Sequence, residues 1–142
     1  MKELNHLLTY SKRERYRLPV LSGKHVLIIA PHPDDETLGC GGIIPLLQES
    51  GWKIIILLLT DGNNKSAKES QTEKRINEFK NAEKILLADR VEYLMIPDGE
   101  VYDNREELQI IIGKVIDRCH PETIFIPYVM AYNRDHRAVS LI

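Results

Sequence analysis

The feature that most restricts the fold of this chain is a row of short apolar runs, each stopped by a proline or a turn, with stretches of helical spacing between them. Residues 25–30 (HVLIIA) halt at Pro31, and residues 52–60 (WKIIILLLT) halt at Asp61-Gly62. Runs so short and so uniformly apolar fit strands buried on both faces. Residues 91–97 and 123–127 repeat the pattern, each closed by a proline that cannot donate to a sheet ladder. Between the first two runs, residues 37–50 carry Leu38, Ile43, Ile44, Leu46 and Leu47 ahead of Gly51, which reads as a helix with a glycine C-cap. Residues 73–87 place Ile76, Phe79, Ala82, Ile85 and Leu86 at helical spacing, and residues 105–119 do so with Leu108, Ile111, Ile112, Val115 and Ile116.

Strand, helix, strand, helix, strand, helix, strand is the signature of βαβ units. The predicted fold is α/β, a Rossmann-like three-layer arrangement with a mainly parallel sheet covered by helices on both faces. The second and third strands start 39 residues apart, against 27 and 32 for the other pairs, and the surplus is a polar loop over residues 61–70 at the carboxyl end of strand two. A chain of 142 residues fits one domain. Within it, residues 1–22 read as an N-terminal extension and 24–142 as the core.

Charge and hydropathy narrow the function classes. Nineteen Lys and Arg against 21 Asp and Glu give a net charge of −2, so no basic field exists to attract nucleic acid. The longest aliphatic run, residues 54–59, is far below the roughly 18–20 residues that a membrane span needs. The first twenty residues lack the apolar stretch of a signal peptide. Cys40 and Cys119 stand far apart with no C-x-x-C pairing, which suits a reducing compartment and sets the expectation of a cytoplasmic protein. A homo-oligomer is left open.

In a doubly covered parallel sheet, ligands bind beyond the carboxyl ends of the strands. After strand one the chain reads Pro31-His32-Pro33-Asp34-Asp35-Glu36, one imidazole and three carboxylates in five residues. Like charges this close raise one another's pKa unless something positive sits among them, and a divalent cation answers that need. His32 and Asp35 can converge on one ion while Asp34, on the adjacent peptide, points elsewhere as a free base. A catalytic zinc takes three protein ligands and keeps a position for water. His136, just after strand four, is the candidate for the third, with Asp135 beside it either to cap a helix or to orient an imidazole. Gly39-Cys40-Gly41-Gly42 does not complete a dinucleotide motif, because Ile44 stands where the last glycine belongs. The preceding carboxylates would also repel a pyrophosphate.

The segment 31–36, the glycines after it, and Asp135-His136-Arg137 about a hundred residues later resemble the LmbE/PIG-L family of zinc-dependent N-acetylglucosamine de-N-acetylases. Thr60-Asp61-Gly62, Arg75 with Glu78, and Pro97-Asp98-Gly99 agree with it, over roughly residues 24–139. The resemblance implies zinc, or another divalent metal, on His32, Asp35 and His136, with Asp34 as general base and Arg75 and Asp98 near the substrate. The implied substrate is an N-acetylated amino sugar or its conjugate, cleaved at the amide. Two departures stand out. Where the family often has a histidine three places before its last ligand, this chain has Asn133, a candidate hydrogen-bond donor that cannot deliver a proton. The chain also stops at Ile142, about two turns into the helix expected from Asp135, where family members continue. The expectation is therefore a chain without the family's C-terminal elements, and the rival to an enzyme is a non-catalytic relative that binds metal or sugar.

Overall fold

The computed structural model describes residues 23–63 and 69–142. The four expected strands, β1 (His25–Ala30), β2 (Lys53–Thr60), β3 (Arg90–Ile96) and β4 (Thr123–Phe125), form one parallel sheet in the order β3-β2-β1-β4. Residues 1–22, read as an extension, lie outside the described residues, as do residues 64–68 of the polar loop expected over 61–70.

The two central strands carry the core because the pleat sends alternate side chains to opposite faces. Val26, Ile28, Ala30, Ile54, Ile56 and Leu58 pack on one face against Ile44, Leu47, Ile76, Phe79 and Leu86. Leu27, Ile29, Ile55, Leu57 and Leu59 pack on the other against Val101, Leu108, Ile112, Val115, Ala138 and Val139. Joined by Cys40 of α1 (Asp35–Cys40), the first group of partners comes from α2 (Ile44–Glu49) and α3 (Glu69–Leu86), and the second largely from α4 (Arg105–Cys119) and α5 (Arg134–Val139). Each buried Leu or Ile contributes roughly 1.5–3 kcal/mol by leaving water, so a sheet apolar on both faces is stable only when helices cover both. That is the three-layer α/β architecture expected from the sequence.

The outer strands differ from the central pair. β3 is half-buried, and its pairing with β2 shifts register between Leu58 and Thr60. β4 is an edge of three residues, with Ile124 within it and Ile126 just after it exposed. Among the described residues no helix is long and apolar enough to cross a membrane.

The single helix expected over 37–50 is a correction: the chain forms two short helices joined at residues 41–43. Two successive glycines are poor helix formers, and Pro45 opens α2, the place where its missing N–H is harmless. The end of α2 follows the expectation. Gly51 takes φ +79, while the Trp52 and Gly51 N–H groups return to the carbonyls of Leu47 (3.0 Å) and Gln48 (2.8 Å), a Schellman closure. α3 begins at Glu69 rather than at residue 73.

Candidate functional site

The strand order reverses direction between β1 and β4, and the polar cluster lies at the carboxyl ends of those strands, where two crossovers part. β1 delivers residues 31–36 directly. The loop after β4 delivers Asn133, whose Oδ1 accepts the Asp135 N–H at 2.8 Å and caps α5. Capping thus falls to Asn133 rather than Asp135, and Asp135 is free to turn inward. Its side chain is 1% exposed.

His32, Asp35 and His136 come together. His32 Nδ1 stands 3.3 Å from Asp35 Oδ2 and 3.2 Å from His136 Nε2, and His136 Nε2 stands 3.0 Å from the same Asp35 oxygen. The two imidazoles lie nearly face to face, 5.2 Å apart at an angle of 28°. Atoms bound to one tetrahedral zinc at about 2.0–2.1 Å are separated by roughly 3.3–3.4 Å, so two ring nitrogens and a carboxylate oxygen at 3.0–3.3 Å fit a single small cation. Asp35 is aimed at that point by the His32 N–H, which donates to Oδ2 at 2.9 Å. Burial would raise the Asp35 pKa, but hydrogen bonds from the His32 ring and backbone hold it below its usual value.

The other side of His32 is equally constrained. Nε2 faces Asp98 Oδ1 at 3.1 Å and Asp135 Oδ2 at 3.3 Å. Two carboxylates opposite one ring nitrogen hold the neutral ring's proton there, so Nδ1 is the nitrogen that becomes the lone-pair atom once the ring gives up its second proton. Asp135 Oδ2 is held in turn by the Gly99 N–H at 2.8 Å, where φ +88 suits glycine. Burial works against a charged His32, yet the hydrogen-bonding carboxylates of Asp135 and Asp35 and the charge of Asp98 outweigh it and push the imidazole up to about 10 without a cation. A buried imidazole ringed by acids is a site that favours positive charge.

Asp34 lies beside this cluster but faces outward, with its side chain 53% exposed. Partial burial and the neighbouring Asp35 charge raise its pKa, against the opposing pull of Arg75. Its backbone sits at φ +146, ψ −21, a conformation that costs a non-glycine residue of order 1–3 kcal/mol and that tends to persist at functional positions. Arg75 approaches Asp34 Oδ2 (3.6 Å) and Asp98 Oδ2 (3.9 Å) while donating to the Gly62 carbonyl at 2.9 Å. Asp98, expected near a substrate, is at least as much a partner of His32. A cavity of about 350 Å³ opens beside Asp35 and His136, walled by Leu38, Cys40, Phe125, Ile126 and Tyr128. Burial raises the Cys40 thiol, which suits packing rather than nucleophilic attack.

Two supports escaped the sequence reading. Glu36, 1% exposed, accepts from the Thr37 hydroxyl at 2.6 Å and from the Asp34 N–H at 3.2 Å. Asp61 Oδ1 accepts the N–H of Asn63 (2.8 Å) and Asp98 (3.3 Å), tying the ends of β2 and β3 together. An acid directly after the His-Pro-Asp-Asp run and an acid closing β2 were the available signals.

Comparison with known proteins agrees with the fold. The family model of PIG-L, GlcNAc-PI de-N-acetylase, matches residues 27–142. A diacetylchitobiose deacetylase of Thermococcus kodakarensis is 34% identical over 109 residues, covering 73% of this chain and 40% of that protein. The N,N'-diacetylchitobiose deacetylase from Pyrococcus horikoshii, solved with its inhibitor MPG, superposes with a TM-score of 0.75 at 26% identity over 99% of this chain and 55% of its own. The conserved protein TT1542 from Thermus thermophilus does so with a TM-score of 0.70 at 35% identity, over 82% of this chain and 51% of its own. The chain therefore spans about half the length of these relatives.

Proposed function

Because this chain belongs to the PIG-L family of de-N-acetylases, we propose that it hydrolyses the acetamide of an N-acetylglucosamine-type amino sugar or its conjugate, using a divalent cation held by His32, Asp35 and His136. Zinc is the cation the donor set favours, two imidazoles and one carboxylate with room for further ligands. The observation that carries the reading is the convergence of those three ligand atoms within 3.0–3.3 Å of one another, with an uncommitted carboxylate next to them. Such a cation polarises a carbonyl and lowers the pKa of water toward about 7.

The chain's own residues supply the rest. Asp35 and the two imidazoles orient the centre, and Asp98 and Asp135 keep the His32 proton on Nε2. Asp34, with its raised pKa, takes a proton from the attacking water on a carboxylate oxygen and returns it to the departing amine nitrogen, acting as base and then acid. Arg75 balances the Asp34 charge and offers donors to sugar hydroxyls, while Asp98 offers them a carboxylate acceptor. Asn133 has its Oδ1 committed to the helix cap, leaving Nδ2 as a donor toward the acetyl oxygen. Free Cys40 and Cys119 support a reducing, cytoplasmic setting.

The test is acetate release from N-acetylglucosamine and diacetylchitobiose by metal-loaded protein and by Asp34→Asn. Turnover in the wild type that falls by about 10²-fold or more in Asp34→Asn, at unchanged metal content, supports the reading. Metal binding without acetate release from either compound favours the non-catalytic relative, and full activity in Asp34→Asn removes Asp34 from the reaction.

A further inference from the structure

We propose that Glu36 is a positioning residue whose buried carboxylate clamps the Asp34 peptide, carrying Asp34 into the site on a backbone torsion that a non-glycine residue does not hold unaided. An acid at the start of a helix gains from the dipole while staying in water, yet Glu36 is 1% exposed and outside the ligand cluster. Burying a carboxylate is unfavourable unless its oxygens find donors. Both do: Oε1 accepts from Thr37 Oγ1 and Oε2 from the Asp34 N–H.

The second bond acts on the torsion itself. On its N-terminal side Asp34 follows the buried Pro33, and its N–H is held by Glu36. On its C-terminal side the Asp34 carbonyl accepts from the N–H groups of Thr37 (3.0 Å) and Leu38 (2.9 Å), the first bonds of α1. With both flanking peptides pinned, the N–Cα bond between them is left at φ +146. Releasing the Glu36 end lets the residue relax to an ordinary negative φ and swings its carboxylate away from its place beside Asp35 and Arg75. The clamp thus opposes both backbone strain and the repulsion between adjacent carboxylates. It rests on the reading of Asp34 as the base, but its first test does not.

That test compares thermal midpoints of the metal-free full chain with glycine or alanine at position 34, each in wild-type, Glu36→Met and Glu36→Gln backgrounds. Both substitutions remove the Asp34 charge, and they differ in tolerance of positive φ. With Glu36 present, Asp34→Gly is expected to melt about 3 °C or more above Asp34→Ala. Gln keeps an acceptor and retains the difference. Met, similar in size without an acceptor, abolishes it. An equal difference in the Glu36→Met background, or none in wild type, overturns the clamp. Should Glu36→Met fail to fold, amide hydrogen exchange at Asp34 in the wild-type chain decides: slowed exchange supports the bond, and an unprotected rate overturns it. In metal-loaded protein, Glu36→Met should lower kcat by about tenfold or more with KM and metal stoichiometry retained, and Glu36→Gln should restore it; an unchanged kcat overturns the positioning role. If the wild type releases no acetate, the deacetylase reading fails while the melting comparison still decides the clamp.

Discussion

The protonation of His32 has a sharp quantitative consequence for metal binding. A cation can take Nδ1 only after the imidazolium has given up a proton, and that imidazolium is stabilised to a pKa of about 10 by Asp135, Asp35 and Asp98. At pH 7 the proton must be displaced across roughly three pKa units, which at about 1.4 kcal/mol each amounts to about 4 kcal/mol, or a thousandfold weakening of apparent affinity. The His32 side chain is 9% exposed, so solvent screening removes little of this. The apparent Kd for zinc, measured by competition with metal buffers at several pH values, should therefore fall about tenfold per pH unit from about pH 6.5 through pH 9. An unperturbed histidine would level off near pH 7. Asp135→Asn keeps the shape of the side chain but removes its charge and one of its two acceptor oxygens. Its break should move to lower pH, and its affinity above the break should be weaker by about tenfold, as for other residues that orient a ligand histidine. A plateau in the wild type beginning at pH 7, or an Asp135→Asn curve superimposable on it, would refute the reasoning.

The metal-free protein should show the same linkage in its stability. The folded His32 pKa of about 10 lies above its ordinary 6.5, so this group contributes stability fully below pH 6.5 and loses it as pH rises through 10; urea titrations of wild type against His32→Gln at pH 6, 8 and 10 should show the wild-type advantage shrinking, and a constant gap would contradict it. Gly62→Ala places a Cβ 3.0 Å from Pro33 Cγ and Cδ and 3.3 Å from Arg75 Cζ, on a backbone at φ +66. It should destabilise by about 1–3 kcal/mol in the same assay, and unchanged stability would remove this contact as a support. Leu108→Ala, at a fully buried position under β1 and β2, should cost about 2–5 kcal/mol; a loss below about 1 kcal/mol would show a core that collapses around the gap.

The sheet was legible because β1 and β2 are apolar along nearly their whole length, a pattern that only a strand covered on both faces requires. Likewise His32, Asp34 and Asp35 stand out since their cost beside a buried strand needs a reason. The division between α1 and α2 was harder to read, as Leu38, Ile43, Ile44 and Leu47 keep helical spacing straight through the glycines and Pro45. Asp98 was expected beside a substrate, and its contact with His32 Nε2 depends on how the β3 loop returns to β1, which no local pattern encodes. The same holds for Asp135. Sequence left it between a cap and an orienting role, and the cap fell to Asn133 because the helix begins one residue earlier. Glu36 looked like one more acid in a cluster, since nothing in its spacing reveals that its oxygens turn back onto the Asp34 peptide.

Everything proposed for the site depends on the polypeptide after β1 and the polypeptide after β4 sharing one cation. Elemental analysis of the purified full chain, after dialysis against zinc-buffered solution, addresses that directly when wild type and His136→Ala are run side by side. The expected result is close to one zinc per chain in the wild type and little or none in His136→Ala. A wild type that retains no metal, or a His136→Ala protein that retains it fully, would contradict the shared site.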